Sequence, residues 1–107
     1  MINVTIFRDS SDEYRGLSLV GHAGYAEYGQ DIVCAAVSVL FINTVNAIEK
    51  FTDDAMEVEQ HTETDQIILH LPSSISDESR LLIDSLLLGL QGVEEEYGND
   101  YIRVIFQ

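Results

Sequence analysis

The sequence predicts an α+β fold in the order ββαββαβ, a mixed sheet with two helices packed on one face. Three observations lead there. The opening "INVTIF" alternates with the period of a strand; two long stretches carry apolar residues at helical spacing; and short strand-like runs lie between and after those stretches. Two amphipathic helices laid on one side of a sheet are the simplest way to bury both stripes. At 107 residues, 46% of them hydrophobic, the chain suits a single domain, 1–107, with a core of its own.

Residues 2–7 form the first strand, "RDSSDE" supplies turn material, and a second strand over about Tyr14 to Val20 completes a hairpin. From Asp31, a natural N-cap, a helix of roughly twenty residues follows, with Val33, Val37, Leu40, Thr44, Ala47, Ile48 and Phe51 near one face. Strands over about Ala55 to Gln60 and Ile67 to Leu71 flank the polar "HTETD". A second helix starts near Ser76 or Asp77, carries Leu82, Leu86, Leu90, Val93 and Tyr97 on one side and stops at Gly98. "YIRVIF" is the last strand.

Two features exceed the needs of a monomer core. Ala35, Val39 and Ile42 lie on the far side of the first helix, to be covered by the second helix or by another subunit. Gly89 and Gly92 each cost a helix about 1 kcal/mol relative to Ala, as though another backbone came close. Three glutamates in "EEEYG" also face the negative end of the second helix.

Charge excludes some functions. Nineteen acidic residues against five basic ones (Arg8, Arg15, Lys50, Arg80, Arg103) give a net charge of -14, with no basic cluster to neutralise a phosphate backbone. Direct nucleic-acid binding is not expected; a basic partner is. One cysteine cannot form an intramolecular disulfide, "MINVTIFRDS" lacks the character of a signal peptide, and the nearly apolar run Ile32 to Ile42 is short for a bilayer. The expectation is a cytoplasmic protein with no membrane association.

That cysteine lies in "GHAGYAEYGQDIVCAAVS". Ten residues, Gly21 to Gln30, separate strand from helix, where about 4 to 6 is usual. Gly21, Gly24 and Gly29 make the segment adaptable and Tyr25 and Tyr28 give it aromatic surface, a composition suited to a mobile substrate loop. Cys34 is the third helical residue after Asp31, in the turn where backbone N–H groups point outward, with Ser38 one turn further on. The helix end contributes about 0.3 to 1 kcal/mol, less than one pKa unit, so strong activation of the thiol needs a cation such as His22. Asp31 works against a thiolate unless its charge is engaged in capping the helix or in orienting the imidazole. A zinc site from Cys34, His22, His61 and His70 lacks a close ligand pair, with His61 in a turn and His70 in a strand; the glycines lack P-loop spacing. No metal or other cofactor is expected.

The same stretch resembles the signature of the ribosomal-processing cysteine protease family Prp: G-H-A, a variable Gly-rich loop, G-x-D-I-V-C-A and a serine four residues after the cysteine. "VNAIEKFT" and "LQGVEEEYGNDYIRV" extend the likeness along the chain. The resemblance implies a cytoplasmic, homodimeric endopeptidase that removes an N-terminal extension from a basic large-subunit ribosomal protein, number twenty-seven, cutting after aromatic residues and before a small one. Cys34 matches the nucleophile, His22 the base, and Asp31 and Ser38 supporting positions. The chemistry expected is attack by the Cys34 thiolate, protonation of the leaving amine by His22 and an oxyanion held by N–H groups at the helix start. The alternative is an acidic escort that binds such a protein without cutting it; a redox sensor is disfavoured by the lack of a resolving cysteine.

Overall fold

Alternation decides the sheet. In β1 (Ile2–Arg8), Ile2, Val4 and Ile6 are buried while Asn3 is exposed, and each buried residue meets another across the ladder: Val4 lies opposite Leu19 of β2 (Tyr14–Val20) and opposite Val104 of β5 (Ile102–Phe106). β2 pairs on its other side with β4 (Gln66–His70), Leu17 against Leu69, and β4 pairs with β3 (Glu57–His61). The strand order is β3-β4-β2-β1-β5, with β1 and β5 parallel and the other pairs antiparallel. The structure is a computed structural model that describes residues 1–27 and 30–107.

Two helices complete the α+β arrangement, α1 (Ile32–Phe51) and α2 (Asp77–Tyr97), and the order ββαββαβ is the one expected, with a short 3-10 turn (Thr62–Thr64) added between β3 and β4. Val33, Val37, Phe41 and Ile48 of α1 and Ile83, Leu86, Leu87 and Leu90 of α2 share one core with Ile2, Val4, Ile6, Leu17, Leu19, Leu69 and Ile102. Burying each such side chain favours folding by about 1.5 to 3 kcal/mol. The stripes are slightly rotated from those expected. Phe41 is buried whereas Leu40 is half-buried, Phe51 at the helix end is 70% exposed, and Ile83 and Leu87 join the α2 face that Leu82, Val93 and Tyr97 only flank.

The glycines of α2 behave differently from one another. A Cβ on Gly89 would lie 3.1 Å from Leu40 Cδ1, so the close neighbour is a side chain of α1, not a backbone. Gly92 has open space, so among the described residues of this chain no backbone comes close to it. Val39 and Ile42 are 66% and 55% exposed, so the second helix does not cover them. Of the three glutamates near the α2 C-terminus, Glu94 has a structural use: its Oε2 accepts the Val104 N–H at 2.8 Å, holding the edge strand β5. By length and composition alone α1 is apolar enough to cross a membrane, more than the run to Ile42 implied, but here its stripe covers the sheet.

Candidate active site

The site grows from the register of β2 and β4. Val20 pairs with Gln66, which sets Gly21 beside Asp65, and the Gly21 N–H donates to the Asp65 carbonyl at 3.0 Å. Gly21 has φ +97, and a Cβ there would meet the Met1 carbonyl oxygen at 2.6 Å, so both conformation and space require glycine. The chain then turns back across the start of α1. Ala23 is buried and its N–H donates to Cys34 Sγ at 3.2 Å. Tyr25 donates its N–H to Asp31 Oδ2 at 3.0 Å, and its ring meets Tyr97 and Tyr101 edge-on, with centroids 5.5 and 5.1 Å away. Tyr28 and Gly29, also expected in this loop, lie outside the described residues.

Asp31 is the N-cap of α1. Its Oδ1 accepts from the N–H groups of Val33 and Cys34, both at 3.0 Å, and its Oδ2 from Tyr25. The question left open by the sequence is thereby answered: Asp31 caps the helix and holds the loop. Burial alone would push its carboxyl up, but the N–H groups of Cys34 and Tyr25 outweigh that and hold it below the usual carboxylate range.

The same capping overturns one expectation. The N–H groups of Val33 and Cys34, proposed to hold an oxyanion, are taken by the carboxylate, and the Ala35 N–H bonds the Asp31 carbonyl at 3.0 Å. The half-buried Cys34 thiol is raised above its ordinary value, first by burial and also by the charge of Asp31, with the Ala23 N–H acting the other way. A helix start filled by a carboxylate does not by itself ionise the sulfur.

His22 lies on the exposed segment between Gly21 and Ala23, and its Nε2 is 2.9 Å from Asp65 Oδ2. Asp65 ends the 3-10 turn in the left-handed conformation, φ 51, and its side chain reaches His22 just beyond the end of β2. Sequence reasoning missed Asp65. Its signal lay in the strand register: once Val20 is set against Gln66, the residue before Gln66 must face the start of the loop.

His22, Asp31, Cys34, Ser38 and Asp65 all line one cavity of about 870 Å³. Val37, Phe41 and Ile42 of α1 and Ile67 of β4 give it an apolar wall. His61, expected in a turn, is instead the last residue of β3 and also borders the cavity, where it pairs with Glu59; His70 pairs with the same carboxylate at 3.2 Å. Among the described residues no group of three or more His, Cys, Asp or Glu side chains is placed to hold a metal ion.

Known proteins resemble this chain over its whole length. Residues 1–103 match the family described as cysteine protease Prp. The chain is 32% identical over 107 residues to the ribosomal processing cysteine protease Prp of Staphylococcus aureus, covering 100% of each. It is 31% identical over 108 residues to the Bacillus subtilis protein of the same name, covering 97% of this chain and 96% of that one. Among solved structures it superposes on the S. aureus ribosomal processing protease Prp in complex with a covalently linked product peptide, with TM-score 0.92, 32% identity and 100% of both chains covered. The same protease in complex with a substrate peptide gives 0.87 at 31% identity, again over 100% of both chains.

Proposed function

This chain belongs to the cysteine protease Prp family, and on that premise we propose that it is the endopeptidase that removes an N-terminal extension from a large-subunit ribosomal protein, number twenty-seven, during ribosome assembly. Cys34 is the nucleophile and His22 the base. The observation that carries this reading is convergence: His22, Asp31, Cys34 and Ser38, which bear the resemblance in sequence, border one cavity with an apolar wall able to take an extended peptide. The relatives' names and their peptide complexes support it.

Because burial and Asp31 hold the thiol protonated, the reaction begins with transfer of the Sγ proton to His22. The thiolate attacks the scissile carbonyl, forming a C–S bond as the C=O electrons move to oxygen. The Ala23 N–H, already aimed at Sγ, is the donor best placed to hold that oxyanion. Return of the electrons breaks the C–N bond, and the amine leaves with the proton from His22. Water, deprotonated by His22, then hydrolyses the thioester and restores the thiol. The described part of the loop, residues 21–27, covers the bound peptide, and residues Val37, Phe41 and Ile67 receive the apolar side chain that precedes the cut.

The net charge of -14 draws a basic ribosomal protein toward the site, so cleavage slows as salt is added. The exposed apolar residues Val39 and Ile42 are the surface we assign to a homodimer, with residues 1–107 of each copy forming one domain in the cytoplasm. A second reading, an escort that binds the basic protein without cutting it, is favoured by one observation, the raised thiol of Cys34. Incubation with an extended ribosomal protein decides between them. Cleavage by the wild type, lost in Cys34→Ala while binding persists, supports the protease; cleavage by Cys34→Ala refutes it, and binding without cleavage by both supports the escort.

A further inference from the structure

We propose that Asp65 is the positioning residue for His22, the carboxylate that stands behind the Cys34 and His22 pair; the role rests on His22 serving as the base. Two links join the two residues. Asp65 Oδ2 is 2.9 Å from His22 Nε2, and the Asp65 carbonyl accepts the N–H of Gly21, the residue next to His22, at 3.0 Å. The strand register and the 3-10 turn fix the carboxylate in place before any substrate arrives.

The chemistry follows from which nitrogen is engaged. A hydrogen bond from Nε2–H to Asp65 selects that tautomer of the neutral ring and assigns Nδ1 to the thiol proton. Once the proton has moved from Sγ, the ring is an imidazolium and Asp65 is its counter-charge, as the buried aspartate is in the serine protease triad. When the proton passes to the leaving amine, the pair returns to its starting state. Asp31 is engaged elsewhere: its Oδ1 accepts from the N–H groups of Val33 and Cys34 and its Oδ2 from that of Tyr25.

Asp31, Cys34 and His61 line the same cavity, and the Met1 amino group acts on Cys34. His61 is held by Glu59. The His22 and Asp65 side chains are 56% and 51% exposed, and an exposed ion pair adds little to stability, so its loss should be read in the reaction and not in the melting temperature.

Asp65→Asn is the discriminating variant. Asn is at ease with a φ of 51 and leaves the main-chain bond to Gly21 untouched, so the turn persists while the charge is lost. The expected result is a kcat lower by about tenfold, smaller than for a buried triad aspartate because water screens this pair, with KM within about twofold. The acidic limb of the kcat/KM profile moves to lower pH, because the ring must be neutral to take the thiol proton and its imidazolium loses a stabilising charge. His61→Gln leaves that limb in place. His22→Ala separates the two levels of the claim: wild-type cleavage by that variant removes the base assignment itself. An inactive His22→Ala beside an Asp65→Asn protein with wild-type kcat and an unmoved limb overturns the role of Asp65 alone. Should the Asn variant fail to fold, Asp65→Gly, equally compatible with that φ, carries the same test.

Discussion

The two helices begin with the same device and use it to opposite ends. In α1 the cap is Asp31 and the third helical residue is Cys34; in α2 the cap is Ser76 and the third residue is Ser79. Ser79 is fully buried, its N–H donating to Ser76 Oγ at 3.2 Å and its hydroxyl to Asp54, so the hydroxyls of Ser76 and Ser79 are both used within the protein. Cys34 is half-buried and borders the cavity, with a carboxylate beneath it that opposes ionisation. A helix start is therefore a scaffold before it is an electrostatic device. What separates the two turns here is the loop that sets His22 on the cavity Cys34 borders and the turn that supplies Asp65.

The largest effect should come from exchanging the two third residues for alanine. Cys34→Ala is expected to lower cleavage at least a thousandfold with little change in melting, whereas Ser79→Ala should cost about 1 to 3 kcal/mol, read by urea unfolding, and leave kcat unchanged. Gly21→Ala is next. The strained φ and the clash with the Met1 carbonyl should cost about 1 to 3 kcal/mol and also lower kcat, because His22 is carried away from Asp65.

Neutralising each supporting carboxylate sharpens the contrast at smaller amplitude. Asp31→Asn keeps a good cap but removes the charge that raises the thiol, so alkylation of Cys34 at neutral pH should quicken several-fold. Asp54→Asn should leave alkylation alone. Both carboxyls are held below the usual carboxylate range in the folded protein, Asp54 by the hydroxyls of Ser76 and Ser79, so the unfolded chain binds their protons first. Their contribution to stability is present above the ordinary carboxylate pKa and is lost as pH falls through the lower folded values; calorimetry across that window should show the loss reduced in Asp54→Asn. The smallest effect is expected from Tyr25→Ala, about 0.5 to 1.5 kcal/mol for two edge-on ring contacts, with a modest rise in KM.

Much of this contrast was legible in the chain. The alternation of Ile2, Val4 and Ile6, the cap at Asp31, the stop at Gly98 and the whole ββαββαβ order follow from local rules, and the G-H-A to C-A-A-V-S stretch carried the family. What escaped depends on contacts distant in sequence. Asp65 lies in a polar turn that looks like solvent-facing material until β4 is laid against β2. The use of the α1 N–H groups by Asp31 could be foreseen as a cap, but not that its second oxygen would reach Tyr25. Phe41 takes the core place expected for Leu40, whose side chain instead lies against Gly89 of α2, a contact between residues far apart in sequence.

Acid quenching during turnover, followed by mass spectrometry of the tryptic fragment that holds Cys34, tests the central claim most directly. The account predicts an acyl adduct on that sulfur, labile to hydroxylamine, adding the mass of the released N-terminal extension less one water and missing from Cys34→Ala. Steady cleavage by the wild type with no adduct at any time, together with an undiminished rate in Cys34→Ala, would contradict it.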